Sequence, residues 1–248
     1  MITPQLLAGL VLLVLGTSFL AGVLGMAGGM ILMGVLLVVL PVPAAMVLHA
    51  VTQMSSNGWR ALLWGRYVDW GILARYTVGL AVALAAFWLV RLVPDRAVVL
   101  LVLGLSPFLV MALPERLAVR ADRRFGAEAC GLICSALQYL SGVSGPTLDL
   151  FFVRTTLDRR AVVATKAACQ VVTHLSRLVY FGGVAGPEAD LGGLVYGLAV
   201  AAAIAGTSLS RAVLDRITDA QFRVWTRRVV LALGAVYVAQ GLHALMTG

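Results

Sequence analysis

Two apolar stretches carry polar side chains at matching places. In 44–64, Gln53 stands tenth of 21 residues, and in 161–181 Gln170 holds the same place. His49 and Lys166 lie four residues before the glutamines, and Arg60 and Arg177 seven after them. Offsets of four and seven share one face of a helix, so each helix presents a polar stripe. One runs His49, Gln53, Asn57, Arg60 and the other Lys166, Gln170, His174, Arg177. Such donors and cations suit the coordination of a small anion rather than nucleophilic or metal chemistry. No pair of histidines and carboxylates has metal-ligand spacing, and no P-loop, zinc-protease helix or GxSxG elbow occurs. The sequence therefore implies neither an enzyme nor a cofactor.

The chain that positions these residues is 61% hydrophobic and 12% charged over 248 residues, and residues 1–59 contain no Lys, Arg, Asp or Glu. That composition excludes an ordinary soluble domain. Charges cluster between apolar blocks of about 18 to 22 residues, enough helix to cross roughly 30 Å of hydrocarbon. The net charge of +8 comes largely from arginines in short loops, which the positive-inside rule explains without nucleic acid. The amino-terminal stretch lacks the basic start of a cleaved signal and is expected to be the first membrane segment. Cys130, Cys134 and Cys169 all fall in apolar segments and read as small core residues.

Sliding the sequence by 117 positions superimposes Gly25 on Gly142, Gly28 on Gly145, Gln53 on Gln170, Arg60 on Arg177 and Gly65 on Gly182. Each copy divides into five apolar segments. The first copy gives 4–24, 30–40, 44–64, 70–90 and 97–113; the second gives 127–140, 147–153, 161–181, 191–211 and 222–246. The expected fold is an all-α integral membrane protein of two inverted repeats, 1–114 and 127–248, joined by a cytoplasmic linker, 115–126. The second segment of each copy is too short to span, which suggests a half-helix or re-entrant arm. Arginine-rich loops at 115–126, 154–160 and 211–223 are placed in the cytoplasm, while the loop 182–190, with Glu188 and Asp190 and no Lys or Arg, faces outside. Both termini then lie outside. The loop with Arg91 and Arg96 fits this scheme poorly.

Glycine-rich stretches, Gly25 to Gly29 and Gly142 to Pro146, interrupt helices inside the membrane. A broken helix exposes backbone N–H groups and the positive end of a dipole, and glycine lets a ligand approach closely. Gly25, Gly28, Gly29, Gly142, Ser144 and Gly145, facing Gln53, Asn57, Gln170 and His174, are thus expected to form an anion cradle. Close helix packing by small residues is the competing account of the glycines. Lys166, the only lysine in the chain, is read as attracting the anion or as pairing with Asp149. Arg60 and Arg177 are read as attracting it from either side or as interfacial anchors. Asp149 and His49 are candidate proton carriers, so a proton or sodium ion is a candidate coupling partner beside the anion and the bilayer.

The stretches "AGVLGMAGGM" and "LSGVSGPTLDLFF", with "LLWGRYVDW" after the first, resemble the paired signatures of the TauE/SafE sulfite-exporter family, also called the four-toluene sulfonate uptake permeases. The resemblance covers essentially the whole chain. It implies a bacterial inner-membrane secondary transporter of sulfite, sulfonates or related anions, working without an ATPase. Ala27 and Ser144 stand where the family usually has glycine, and Pro146 replaces the last glycine of the second signature. A ten-helix drug or metabolite exporter and a non-transporting membrane scaffold are the other classes compatible with the pattern.

Overall fold

The computed structural model describes residues 3–114, 119–214 and 219–247. Glu115 and Arg116 of the linker, and residues 215–218 of the arginine-rich loop that follows residue 211, lie outside the described residues. Among the described residues ten α-helices follow one another: α1 (Pro4–Leu24), α2 (Ala27–Val39), α3 (Val42–Leu63), α4 (Trp70–Val90), α5 (Arg96–Ala112), α6 (Gly126–Ser141), α7 (Gly145–Phe152), α8 (Arg159–Ala185), α9 (Gly193–Leu214) and α10 (Asp219–Thr247). No strand occurs among the described residues.

Local chemistry sets several of the helix starts. The side chains of Thr3, Asp69, Asp95 and Asp158 accept backbone N–H bonds at the starts of α1, α4, α5 and α8. At α2 and α7 no side chain does so. The breaks before those two helices are narrower than the sequence suggests. The chain turns at Gly25 (φ +63°) and Gly142 (φ +78°), a left-handed region that favours glycine, and α2 resumes at Ala27. Gly28 and Gly29 are therefore helical.

Among the described residues, four helices are long and apolar enough to cross a membrane: α1, α4, and stretches of α9 (Gly193–Ser210) and α10 (Val224–Thr247). The more polar α3 and α8 pack against each other, and α3 also packs on α9 and α8 on α4. The main contacts join the two halves: α1 with α9, α4 with α6, α3 with α8, and α5 with α10. Exchanging α1–α5 for α6–α10 maps this set onto itself.

Equivalent helices run antiparallel where they meet. His49 of α3 faces Arg177 of α8, while Gly58, further along α3, faces Val171, earlier in α8. Likewise Gly104 lies against Val238 and Leu101 against Gly241 between α5 and α10. Antiparallel equivalents are the signature of inverted repeats. The register is pinned by polar pairs made from one repeated position, with a different partner in each half. Ser56 of α3 bonds Thr207 of α9 (2.8 Å), and its equivalent, Thr173 of α8, bonds Tyr76 of α4 (2.7 Å). Small residues bring backbones together, as where Gly79 of α4 meets the Glu128 carbonyl and Gly131 of α6 meets the Tyr76 carbonyl. Cys130, Cys134 and Cys169 are buried in a core shared by α4, α6, α7 and α8, with no disulfide.

Candidate functional site

The two breaks and the two polar helices meet in one hydrogen-bonded chain. Arg177 is completely buried on α8. Its guanidinium donates through Nη1 to the carbonyl of Gly142 and through Nη2 to Nδ1 of His49 on α3 (2.7 Å). Nε2 of His49 lies 2.9 Å from the carbonyl of Gly29. A carbonyl only accepts, so the imidazole carries its proton on Nε2 and leaves Nδ1 to accept from Arg177. Arg177 thereby links the break of its own repeat to the first turn beyond the break of the other.

Among the described residues no carboxylate bonds Arg177. The C-terminal end of α6, where Gly142 sits, offers the negative end of a helix dipole as partial compensation. Its Nε remains buried without a partner. On the neighbouring turn, His174 ring nitrogens lie 3.1 and 3.3 Å from Nε2 of Gln138 on α6, and that amide also reaches Oε1 of Gln170 (3.5 Å). The His49 and His174 rings stand 6.0 Å apart. The Oγ of Ser144, just before α7, is buried without a partner, as is Oε1 of Gln138.

The first repeat arranges its equivalents differently. The side-chain amide of Gln53 lies against Gly29, and a Cβ there would stand 2.8 Å from Nε2. Asn57 donates to the Gln53 carbonyl (2.8 Å) and accepts from Arg60 Nη2 (3.1 Å). Arg60 is only half-buried, in contrast to Arg177, although its Nε too is enclosed and unpartnered. Lys166 pairs with Asp149 of α7, their side chains 28% and 43% exposed.

Of the residues singled out in the sequence, Gly29, His49, Gly142 and Arg177 thus form one hydrogen-bonded chain, Gln170 and His174 meet at Gln138 in a second cluster beside it, and Gln53, Asn57 and Arg60 adjoin the first. Gly25 turns the chain. Gly28 serves packing: a Cβ would meet the Thr17 carbonyl at 2.2 Å. Gly145 faces Met26 across the two breaks. The residue that sequence reasoning missed is Gln138. Its equivalent in the first repeat is Ala21, so the internal match that drew attention to Gln53 and Gln170 is silent there.

At one end of this network lies a cavity of about 600 Å³ lined by Val47, Gly182, Gly186, Pro187, Ala189, Asp190 and Tyr196. At the other, Arg160 bonds Tyr67, Arg75 pairs with Glu128, and Arg120 pairs with Asp122.

Polar side chains converging on two broken helices, inside a shell of apolar helices built as inverted repeats, define a multi-pass membrane protein of the transporter class. The family model for sulfite exporter TauE/SafE matches residues 10–237, and the chain belongs to that family, one of membrane transporters for sulfite and related sulfur anions. No curated protein and no solved structure matches it.

Proposed function

We propose that the protein is a secondary transporter that moves a small anion, sulfite or a short organosulfonate, by alternating access at the junction of the two breaks. The observation that carries this reading is Arg177, a permanently charged side chain with 0% exposure whose bonds go to a neutral carbonyl and a neutral imidazole. A buried guanidinium without a counterion is costly, and an anion held beside it removes that cost. Gln53, Asn57, Gln170, His174, Ser144 and the backbone at Gly25, Gly29 and Gly145 supply neutral donors around the same place, whereas the Gly142 N–H is already given to the Gln138 carbonyl.

The two ends of the site have different roles in this reading. The Arg177–His49–Gly29 chain closes the end beside the cavity, whereas partly buried Arg60 and the Lys166–Asp149 pair form the entrance at the opposite end. The arginine-rich end faces the cytoplasm of a bacterial inner membrane, and both termini face outside. Asp149 is a candidate proton carrier, and His49 becomes one when its bond from Arg177 opens.

Flux of radiolabelled sulfite into proteoliposomes tests this. Uptake that saturates, is inhibited by short sulfonates and is lost in Arg177→Met supports the reading; uptake equal to protein-free vesicles for every sulfur anion refutes it.

A further inference from the structure

The arginine-rich end of the molecule holds two kinds of arginine. Arg75 and Arg120 are paired with carboxylates, Glu128 and Asp122. Among the described residues no carboxylate bonds the guanidinium of Arg66 or Arg160, both of which are exposed. The acids nearest to them in the chain, Asp69 and Asp158, cap the starts of α4 and α8.

These two cations converge on one aromatic ring. The guanidinium carbon of Arg66 lies 4.7 Å from the centre of the Tyr67 ring and that of Arg160 5.5 Å from it. Nη1 of Arg160 also donates to the Tyr67 hydroxyl (3.0 Å). Burial alone would raise that hydroxyl, yet the hydrogen bonds from Arg160 and Arg66, with their charges, bring it below its ordinary range. Each guanidinium has five N–H donors in a planar fork, so both keep donors for an outside acceptor. Like charges gathered at one ring repel, and an anion placed between them turns that repulsion into attraction.

Position and surroundings define the anion. Arg66 and Tyr67 belong to a short turn, Gly65–Tyr67, three residues before the membrane-crossing α4 opens at Trp70. The ring therefore stands at the level of the lipid headgroups. In the adjoining turns Leu62 (78% exposed), Leu63, Trp70 (68% exposed) and Val163, one turn after Arg160, are exposed apolar side chains. A small soluble anion leaves that surface bare. A phospholipid sets its phosphate against the guanidinium forks and an acyl chain against the apolar side chains.

We propose that Arg66, Tyr67 and Arg160 form a binding site for the headgroup phosphate of an anionic phospholipid. The occupant ties the turn after α3, in the first repeat, to the start of α8, in the second. A headgroup without an ammonium is preferred, because an ammonium would face two arginines. The occupant is not the transported anion, so the site stands whether or not the transport reading does.

Thermal unfolding of the full chain in detergent, with phosphatidylglycerol or phosphatidylcholine added at equal mole fraction, tests this. Phosphatidylglycerol should raise the melting temperature of wild type by about 4 °C more than phosphatidylcholine. That excess should vanish in the double variant Arg66→Gln/Arg160→Gln and persist in Arg91→Gln/Arg96→Gln, which loses the same charge elsewhere. The single variants Arg66→Gln and Arg160→Gln should each lose about half of the excess, which keeps the test open if the double variant does not fold. Equal shifts by the two lipids in wild type overturn the proposal, as does an excess that survives without both arginines or falls equally in the Arg91 and Arg96 variant. Inorganic phosphate at the same concentration should do little; if it reproduces the whole shift, the site takes a free anion and the lipid proposal falls.

Discussion

Arg177 and His49 are 128 positions apart and lie in different repeats, yet a guanidinium nitrogen of one stands 2.7 Å from the imidazole Nδ1 of the other. The contact exists because α3 and α8 cross antiparallel, which brings the arginine of one stripe level with the histidine of the other. It also fixes the histidine as neutral with Nε2–H directed at Gly29.

That bookkeeping separates two substitutions at one position. His49→Gln supplies an amide oxygen to accept from Arg177 and an NH2 to donate to Gly29, whereas His49→Leu supplies neither. His49→Leu should cost about 1 to 3 kcal/mol, and His49→Gln less than half of that. Thermal unfolding in detergent, followed by tryptophan fluorescence, reads the difference.

Gly28 sits where α2 touches α1, and a Cβ there would lie 2.2 Å from the Thr17 carbonyl and 2.5 Å from the Ala21 nitrogen. Both are backbone atoms and cannot turn aside. Gly28→Ala should destabilise by about 1 to 3 kcal/mol. At Gly9, with nothing within 4 Å, the same change should be neutral or stabilise by up to about 1 kcal/mol. Melting temperatures of the two variants decide whether Gly28 acts through packing.

Lys166 and Asp149 form a partly exposed pair, 28% and 43% accessible, worth about 0 to 1 kcal/mol in stability. Lys166→Met should therefore melt close to wild type. Its effect belongs to anion capture: flux at low ionic strength should drop about tenfold and lose most of its salt dependence. Comparing proteoliposome flux at low and high salt checks both halves of this expectation.

Asp122, in the loop between the repeats, accepts from Arg120 and from the backbone and hydroxyl of Thr156. The hydrogen bond from Arg120, aided by those from Thr156, holds its carboxyl well below the usual carboxylate range. A depressed folded-state pKa contributes stability that is fully present above the unfolded value of about 3.9 and disappears as pH falls through the folded value. Asp122→Asn should thus lower the melting temperature at pH 7 and equally at pH 5. The gap to wild type should narrow only below about pH 4.

Much of this arrangement is legible in the residues alone. The repeat is visible because Gln53, Gln170, Arg60 and Arg177 are rare inside apolar helices, and the helix ends follow from where apolar blocks stop. α4 matches its expected span of 70–90, while α8 extends to Arg159–Ala185, beyond the expected 161–181, because Asp158 caps it earlier and the chain first turns out of the helix at Gly186, where φ is +56°. What the stripe could not reveal is the level at which α3 and α8 cross. That depends on packing between segments over a hundred residues apart, so Arg177 reads from sequence equally well as an interfacial anchor. The difference between Arg177, wholly buried, and Arg60, partly buried, is likewise a property of the conformation and not of the repeat. Gln138 escapes notice because Ala21 stands at its equivalent position.

The measurement closest to the central claim is the thermal shift of purified protein with sulfite, methanesulfonate and uncharged dimethyl sulfone, in wild type and in Arg177→Met. The account predicts stabilisation by at least one of the two anions, little by the sulfone, and loss of the anion effect in the variant. Stabilisation by the sulfone equal to that by the anions, or an undiminished anion effect without Arg177, would contradict it.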